Sequence, residues 1–253
     1  MTLNGFDPKL LSGKTVVVTG AGRGIGLAVT KCFVECGAEV LAHSGRDGTS
    51  NAVSEFAKVT VEADLSEHNG QAKLIEFVKS HSPRIDVLIN NAGTMMGRFP
   101  ASDLTAEQYD QLVALNQTSV VKITSALIPL LRNANGASII NTVSISATTG
   151  GSPGSSIYSA TKAFVATYTK ALARELAPDN IRANAVSPGT ITTDFHERYS
   201  SVEKLEKTKL SVPLQRLGTP EDCAPAYIFL ASEHLSGYIT GQILEINGGQ
   251  LIC

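Results

Sequence analysis

The 253-residue sequence has little net charge and no long apolar run. A formal net charge of −2 excludes the strongly basic surface that nucleic-acid-binding proteins need. No stretch approaches the ~18 consecutive apolar residues of a membrane span. Residues 1–14 have polar breaks at Asn4, Gly5 and Asp7 instead of the apolar segment of a secretory signal. These absences favour a cytoplasmic protein that binds neither nucleic acid nor membrane.

Cysteine is also scarce, with only four in the chain, too few for a disulfide framework. Cys32 and Cys36 lie one helical turn apart, but no second Cys/His pair completes a zinc site. The five histidines are scattered without ligand spacing. We therefore predict buried thiols in a reducing compartment and no bound metal.

Hydrophobic residues make up 43% of the chain and charged residues 17%, which is typical of a compact globular protein. Seven short apolar runs alternate with helix-length segments and are mostly unbroken, as in strands covered on both faces. The runs are 15–19, 39–43, 59–63, 85–90, 138–143, 180–186 and 243–246. This alternation predicts an α/β fold with a doubly wound parallel sheet of about seven strands and helices on both faces.

Four of the helical segments are expected to begin at an N-cap residue, namely Thr49, Ser66, Ser102 and Thr219. One long helix is expected over 106–131. The stretch 195–213 is weakly patterned and charged, which fits either a solvated helix or a flap over a site. We therefore expect a substrate flap at about 194–213 of a single domain spanning 1–253.

A glycine-rich turn, Thr19-Gly20-Ala21-Gly22-Arg23-Gly24-Ile25-Gly26, follows the first predicted strand. It opens a helix that is expected to run to about Cys36. Glycines allow a tight reversal, let a pyrophosphate approach bare backbone and let the helix pack closely on the strand. The helix N-terminus adds unpaired N–H groups and a partial positive charge. The segment predicts dinucleotide binding in preference to a purely structural turn.

The TGxxxGxG spacing of this turn, followed by Asn90-Asn91-Ala92-Gly93 after the fourth strand, resembles the short-chain dehydrogenase/reductase family. Further matches fall in the family's order along essentially the whole chain. They are Asp64 after the third strand, Asn116 in a helix, Ser144 after the fifth strand, Tyr158 with Lys162, the Pro188-Gly189-Thr190-Ile191-Thr192-Thr193 segment and the closing residues 241–249. The resemblance implies a Rossmann-type fold and an NAD(P)-dependent oxidoreductase that transfers hydride between nicotinamide and a carbonyl or secondary alcohol.

Tyr158 and Lys162 are spaced i and i+4, so their side chains share one helix face about 6 Å apart. A phenol has a pKa near ~10, and a nearby ammonium is expected to lower that pKa toward working pH. The lowered pKa would suit Tyr158 to general acid/base catalysis. The alternative for an isolated Tyr/Lys pair is an ordinary surface contact.

The resemblance gives each member of this group a role. Tyr158 would exchange a proton with the substrate oxygen, while Lys162 would also hydrogen-bond the nicotinamide ribose. Asn116 would position a water in the proton relay. Ser144 would hold the substrate oxygen, with Ser146 as a competitor, because the two serines precede Tyr158 by 14 and 12 residues.

The resemblance also implies a set of cofactor contacts along the chain. Asp64 would accept from the adenine amino group or simply cap the following helix, and Thr193 would bind the carboxamide or serve as a turn hydroxyl. Besides these two, Tyr158 and Lys162, the set comprises Gly20, Arg23, Gly24, Ile25, Gly26, Leu65, Asn91, Ala92, Gly93, Pro188, Gly189 and Ile191.

The end of the second strand is expected to choose between NADP and NAD. An acidic residue there would accept from both ribose hydroxyls and repel a 2′-phosphate. The sequence instead places Ser44 and Arg46 at this point, and Arg23 nearby, which suit a phosphate. Asp47 is the acidic residue nearby that would favour NAD instead. We expect NADP in preference to NAD.

The substrate is expected to contact Met95, Met96, the loop 149–156 and the flap. The chain resembles both 3-oxoacyl-thioester reductases and sugar or polyol dehydrogenases, and we expect a 3-oxoacyl-type carbonyl first. The alternative from another class is a catalytically silent dinucleotide sensor that retains the fold.

The helical segment 158–176 is apolar on more sides than one sheet can cover. Small residues such as Ala163, Ala166 and Ala173 would let a second helix approach closely. We expect this face, with the 106–131 helix beside it, to pack against another copy of the chain. The resemblance implies a homotetramer built as a dimer of dimers, and the apolar residues 251–253 would suit burial at a further contact. The alternative is that another helix of the same chain covers this face.

Overall fold

A single sheet of seven parallel strands organises the computed structural model, which describes residues 5–45, 50–134 and 136–252. The strand order is β3-β2-β1-β4-β5-β6-β7. The strands are β1 (Thr15–Val18), β2 (Glu39–Ser44), β3 (Val59–Glu62), β4 (Val87–Asn90), β5 (Ala137–Thr142), β6 (Ile181–Pro188) and β7 (Ile243–Ile246). The predicted doubly wound α/β fold with seven strands is confirmed.

Helices connect the strands and flank both faces of the sheet. They are α1 (Gly24–Glu35), α2 (Ser50–Ser54), α3 (His68–His81), α4 (Ala106–Val113), α5 (Ser119–Arg132), α6 (Ser146–Thr149), α7 (Ser156–Leu176), α8 (Asp194–Tyr199), α9 (Val202–Ser211), α10 (Pro220–Ala231) and α11 (Glu233–Ser236). None of the helices in the described ranges combines the length and apolar character that crossing a membrane requires.

Alternate residues of the central strands enter two separate cores. Val16 and Val18 pack with α1 and α10 on one face of the sheet, whereas Val17 packs with α3, α5 and α7 on the other. Successive strand side chains point to opposite faces. Because both faces are covered, the central strands β1 and β4 are buried at nearly every position, which explains their unbroken apolar runs.

Two of the predicted helix starts are wrong. The helix expected after Ser102 begins at Ala106, because Thr105 and Gln108 form a reciprocal capping box. The helix expected at Ser66 begins at His68, because the N–H and hydroxyl of Ser66 both donate to Asp64 in a preceding turn. Thr219 does precede its helix, and its N–H donates to Asp222. Thr49 lies outside the described residues.

The helix expected over 106–131 is interrupted between α4 and α5. Residues Ala114–Thr118 form a π-helical turn whose widened hydrogen bond runs from the Ser119 N–H to the Ala114 oxygen. Such turns occur frequently at functional sites. The turn contains Asn116, one of the predicted site residues.

Two features bring the site together. The carboxyl ends of parallel strands meet along one edge of a sheet, and the strand order reverses between β1 and β4. Ligands of doubly wound sheets bind outside this edge at the reversal point. The glycine turn follows β1, and Asn91 follows β4, so the fold places both at that point.

Candidate active site

A cavity of about 940 Å³ opens at the carboxyl edge of the sheet. Such a volume suits a cofactor with a small substrate. Most of the predicted site residues line it, including Gly20, Arg23, Gly24, Ile25, Gly26, Asp64, Leu65, Asn91, Ala92, Gly93, Ser144, Tyr158, Lys162, Pro188, Gly189, Ile191 and Thr193. Two of the described predicted residues do not, because the Asn116 and Ser44 side chains are buried elsewhere. Arg46 lies outside the described residues.

Gly26 shows why the turn requires glycine. A Cβ added at this position would lie 2.0 Å from the Gly20 oxygen and 2.6 Å from Nδ2 of Asn91. Gly20 itself has a φ of +67° and would place a Cβ 2.9 Å from Cα of Ala92. The turn therefore packs backbone against backbone at the end of β1 and keeps its outer side open to the cavity.

Side chains lock this turn to the neighbouring strands. The hydroxyl of Thr19 accepts the N–H groups of Asn91 and Ala92 at 2.9 and 3.0 Å. Nδ2 of Asn91 donates in return to the oxygens of Thr19 and Gly20. The glycine turn and the segment after β4 therefore form one rigid wall of the cavity.

His43 is part of this wall, although nothing in the sequence pattern indicated it. Its Nδ1 accepts the Gly20 N–H at 3.1 Å, and its Nε2 donates to the Ala63 oxygen at 2.8 Å. Burial lowers the pKa of His43. A neutral imidazole is the form that accepts at Nδ1 while donating at Nε2, so His43 is a structural bridge between the turn and the end of β3.

The N-terminus of α1 fits the diphosphate of a dinucleotide. Its N-cap, Arg23, makes no side-chain capping bond, and the first turn carries no acidic residue. Among the described residues, no side chain caps the N–H groups of this first turn. They and the positive end of the helix dipole are therefore open to the cavity. Asp64, two residues after β3, accepts from Ser66 in the turn before α3 and lines the cavity, whereas the N-cap of α3 is Glu67.

The residues predicted to choose between NADP and NAD receive little support from the described residues. The hydroxyl of Ser44 is fully buried at the end of β2 and makes no hydrogen bond. It points away from the cavity because His43, its neighbour on the strand, points toward it. Arg46 and Asp47 lie outside the described residues.

Tyr158 and Lys162 share the inner face of α7. The Lys162 ammonium lies 6.0 Å from the centre of the Tyr158 ring and donates to the Thr142 oxygen at 2.8 Å. Burial raises the pKa of Tyr158 to about 12, opposed by a hydrogen bond with Ser144, and burial lowers the pKa of Lys162 to about 8. The expectation of a lowered tyrosine pKa is therefore wrong, because desolvation raises the pKa by more than Ser144 lowers it.

Ser144 and Ser146 occupy different surroundings. Ser144 lies close enough to Tyr158 to lower the pKa of the phenol, and the Ser144 hydroxyl accepts the Ser146 N–H at 3.2 Å. Ser146 begins α6, and its hydroxyl faces Gly151 in the following loop. Of the two serines, the structure brings Ser144 to Tyr158.

Asn116 is fully buried in the π-turn and holds the segment after Gly93. Its Oδ1 accepts the Thr94 N–H at 3.0 Å, and its Nδ2 donates to the Thr94 oxygen at 2.8 Å. A Cβ on Gly93 would lie 2.9 Å from Oδ1 of Asn116 and 3.1 Å from Nζ of Lys162. The Asn116 side chain therefore packs beside Lys162 without facing the cavity.

The predicted flap forms two helices, α8 and α9, that cover the cavity. Phe195 of α8 packs on Tyr158 with ring centres 5.7 Å apart and meets Tyr199 edge-on at 5.1 Å. The Tyr199 hydroxyl lies 3.0 Å from that of Thr94. Met95, Met96, Arg98, Ser152 and Lys204 line the same end of the cavity. Arg98 was not predicted, because no local motif surrounds it.

Comparisons with known proteins agree with this arrangement. A family model described as enoyl-(acyl carrier protein) reductase matches residues 20–250. The 3-oxoacyl-(acyl-carrier-protein) reductase FabG of Chlamydia pneumoniae is 39% identical over 251 residues, covering 94% of this chain and 97% of the relative.

Two solved structures superpose closely. The NADH-dependent reductase A1-R′, responsible for alginate metabolism, has a TM-score of 0.85 at 34% identity, covering 96% of this chain and 99% of the other. The RhlG/NADP active-site complex of Pseudomonas aeruginosa has a TM-score of 0.87 at 30% identity, covering 97% and 100%. The first is described as an NADH-dependent reductase and the second as a complex with NADP.

Proposed function

Because the chain belongs to the short-chain dehydrogenase/reductase family of NAD(P)-dependent oxidoreductases, we propose that it reduces a 3-oxoacyl-type carbonyl with Tyr158 as the proton donor. One observation carries the proposal. Tyr158 and Ser144 line the same cavity as the glycine turn, and Lys162 is buried beside Tyr158 with its ammonium 6.0 Å from the ring centre. A nicotinamide cofactor supplies the hydride for the carbonyl carbon when bound.

Cofactor binding is proposed to rest on the wall formed by the glycine turn and by Asn91. Gly24 and Gly26 present the unpaired backbone N–H groups of the first turn of α1, whose N-terminus adds partial positive charge for the diphosphate. Asp64 and Leu65, which line the cavity, are proposed to contact the adenine. Thr193, whose methyl group lies 3.3 Å from a Cβ placed on Gly24, lies beside the turn and suits the nicotinamide end.

Tyr158 and Ser144 are proposed to bind the substrate oxygen together. Ser144 orients the oxygen, and Tyr158 donates its proton as negative charge develops there. A phenol whose pKa is raised to about 12 is fully protonated at neutral pH, which suits a general acid in the reductive direction.

Lys162 is proposed to stabilise the phenolate that remains after proton donation. Its ammonium is held in place by the Thr142 oxygen, which leaves two N–H donors that would serve the cofactor ribose and Tyr158. Asn116 is proposed to support the water relay that returns the proton to Tyr158, acting through the backbone of Thr94.

NADP is the proposed cofactor, with NAD as the alternative. NADP is supported by the serine at position 44, where an acidic residue would repel a 2′-phosphate, and by the basic Arg46. Asp47 supports NAD. The finer choice depends on Arg46 and Asp47.

A reductase of sugar acids is the second candidate, favoured by the likeness to a reductase responsible for alginate metabolism. A screen of 3-oxoacyl thioesters and keto sugar acids, each with NADPH and NADH, distinguishes the two by loss of reduced-cofactor absorbance. Reduced cofactor that binds without turnover on either panel would indicate the dinucleotide sensor instead.

A homotetramer is also proposed. On α7, Ala160, Phe164 and Ala171 are exposed along one face, and the Phe164 ring stacks on Tyr168 with centres 5.9 Å apart. Tyr109 of the adjacent α4 is 46% exposed. This exposed apolar face supports a two-fold contact with another copy, and Ile252, 83% exposed near the C-terminus, supports a second.

A further inference from the structure

We propose that Arg98, Lys204 and Ser152 form a subsite for an oxyanion of the substrate, so that the preferred carbonyl compound carries a phosphate or carboxylate group away from its reacting carbon. The inference rests on the proposed carbonyl reduction at Tyr158 and adds a substrate class to it. All three residues line the same cavity as Tyr158.

Two cations converge on one neutral oxygen. Nη1 of Arg98 and Nζ of Lys204 donate to the Ser152 hydroxyl oxygen at 2.8 and 3.0 Å. Like charges at this spacing repel each other unless an anion lies between them. No ion pair formed by the described side chains includes Arg98 or Lys204. Asp194 also lines the cavity but pairs with neither cation.

The remaining donors have no acceptor among the described residues. The backbone oxygens of Tyr199 and Pro153 accept from Nε and Nη1 of Arg98, which leaves the Nη2 edge without a hydrogen bond. Two of the three Lys204 donors are also left. Ser152 accepts from both cations, so its own O–H is free to donate outward. Three donor groups of this kind match the oxygens of one phosphate or carboxylate.

The site is held rigidly and partly desolvated. Arg98 packs against Gly154, where a Cβ would lie 3.0 Å from its own, and the Phe99 N–H donates to the Gly154 oxygen at 2.9 Å. Burial and the charge of Arg98 lower the pKa of Lys204. A bound anion would offset the repulsion between Lys204 and Arg98 that contributes to this lowered pKa.

The aromatic pair Phe195 and Tyr199 lies between this subsite and Tyr158. A substrate that spans both would therefore place its carbonyl at Tyr158, the chain that links its two groups against the rings and its oxyanion at Arg98 and Lys204. A 3-oxoacyl thioester carried on a phosphopantetheine meets this description with a phosphate, and a keto sugar acid meets it with a carboxylate.

The test compares matched substrates on matched variants. Acetoacetyl-CoA and the uncharged N-acetylcysteamine thioester of acetoacetate share one reacting carbonyl, and 5-ketogluconate represents the carboxylate source. Lys204→Gln removes a cation from the cavity, whereas Lys207→Gln removes an exposed cation of the same helix that pairs with Glu203 outside it. Arg98→Lys keeps the charge but loses the planar set of donors.

We expect Lys204→Gln to lower kcat/KM for the anionic substrate by about tenfold or more, and for the neutral thioester by less than about twofold. Lys207→Gln should leave both unchanged. Whichever of acetoacetyl-CoA and 5-ketogluconate shows the larger loss identifies phosphate or carboxylate as the anion. Equal losses on charged and neutral substrates would assign Arg98 and Lys204 to holding the flap and overturn the proposal, as would no loss at all.

A calorimetric titration separates this inference from the proposed reaction. Acetoacetyl-CoA and 5-ketogluconate are titrated into wild-type and Lys204→Gln protein saturated with oxidised cofactor. Binding of one anion that weakens in the variant, without turnover of any carbonyl, would support the subsite and refute the reaction. Turnover of the neutral thioester, with no anion binding that depends on Lys204, would support the reaction and refute the subsite.

Discussion

Lys162 donates a hydrogen bond from Nζ to the main-chain oxygen of Thr142 at 2.8 Å, although the lysine is almost fully buried. The bond fixes the ammonium at the end of β5, one helical turn from Tyr158. It does not offset the cost of burial, because the pKa of Lys162 is lowered to about 8. Lys162 therefore contributes to the site but lowers the free energy of unfolding of the protein.

Lys162→Met is expected to abolish turnover and to raise the free energy of unfolding at pH 7 by about 1–3 kcal/mol. Between pH 8 and 10.5 the unfolded wild-type chain binds more protons at this lysine than the folded protein does. Wild-type stability therefore rises with pH in that window, and the advantage of the variant shrinks. Urea unfolding at pH 7 and pH 10 measures the difference, and an advantage that grows with pH would contradict the assignment.

Tyr227 and Thr142 form a buried hydroxyl pair beneath the Lys162 contact, with their oxygens 2.7 Å apart. Tyr227→Phe is expected to cost about 1–2 kcal/mol, because it leaves the Thr142 hydroxyl with a poorer partner. Adding Thr142→Val to Tyr227→Phe should lower the stability by less than Thr142→Val lowers it in the wild-type protein, because both partners of the hydrogen bond are then apolar. Valine keeps the main-chain oxygen that holds Lys162, so kcat should stay within about threefold. Additive losses in a double-mutant cycle would show that the two hydroxyls do not interact.

The elements that the sequence predicts correctly are those in which one residue type satisfies one local requirement. The strands could be predicted because two covered faces demand unbroken apolar runs, and the turn at Gly20 to Gly26 because close backbone packing demands glycine. The start of α4 was missed because a capping box at Thr105 outcompeted Ser102.

Properties that depend on tertiary surroundings could not be read from the sequence. The pKa of Tyr158 was expected to be lowered by Lys162 and is raised, because the depth of burial is not visible in an i, i+4 spacing. Arg98 and Lys204 are far apart in the chain, and only the folded loop at Ser152 brings them together.

The choice of cofactor is expected to depend on Arg46. Arg46→Ala should weaken NADPH binding by about 1.5–3 kcal/mol, through loss of a charge-assisted bond to the 2′-phosphate, and leave NADH binding nearly unchanged. Asp47→Ala is the matched control and should not weaken NADPH binding. Fluorescence titration of both reduced cofactors measures this, and a wild-type preference for NADH would transfer the role to Asp47.

Assembly is expected to depend on the exposed face of α7. Light scattering of the wild-type protein should give about four times the 26.6 kDa chain mass. Phe164→Glu, at a side chain that is 40% exposed, should lower that mass, whereas Leu235→Glu, at 39% exposure on α11, should leave it unchanged. A wild-type protein that is active as a 26.6 kDa monomer would refute the assembly.

The central claim, that the Tyr158 hydroxyl donates the proton to the substrate oxygen, is tested most directly by kcat of Tyr158→Phe in the NADPH-dependent reduction of a 3-oxoacyl thioester. Phenylalanine keeps the ring that packs on Phe195 and removes only the hydroxyl. We predict that kcat falls by about a thousandfold or more while the unfolding temperature and NADPH affinity stay close to wild type. A variant that keeps more than about a tenth of wild-type kcat, a change of under roughly 1.4 kcal/mol in the barrier, would contradict the account.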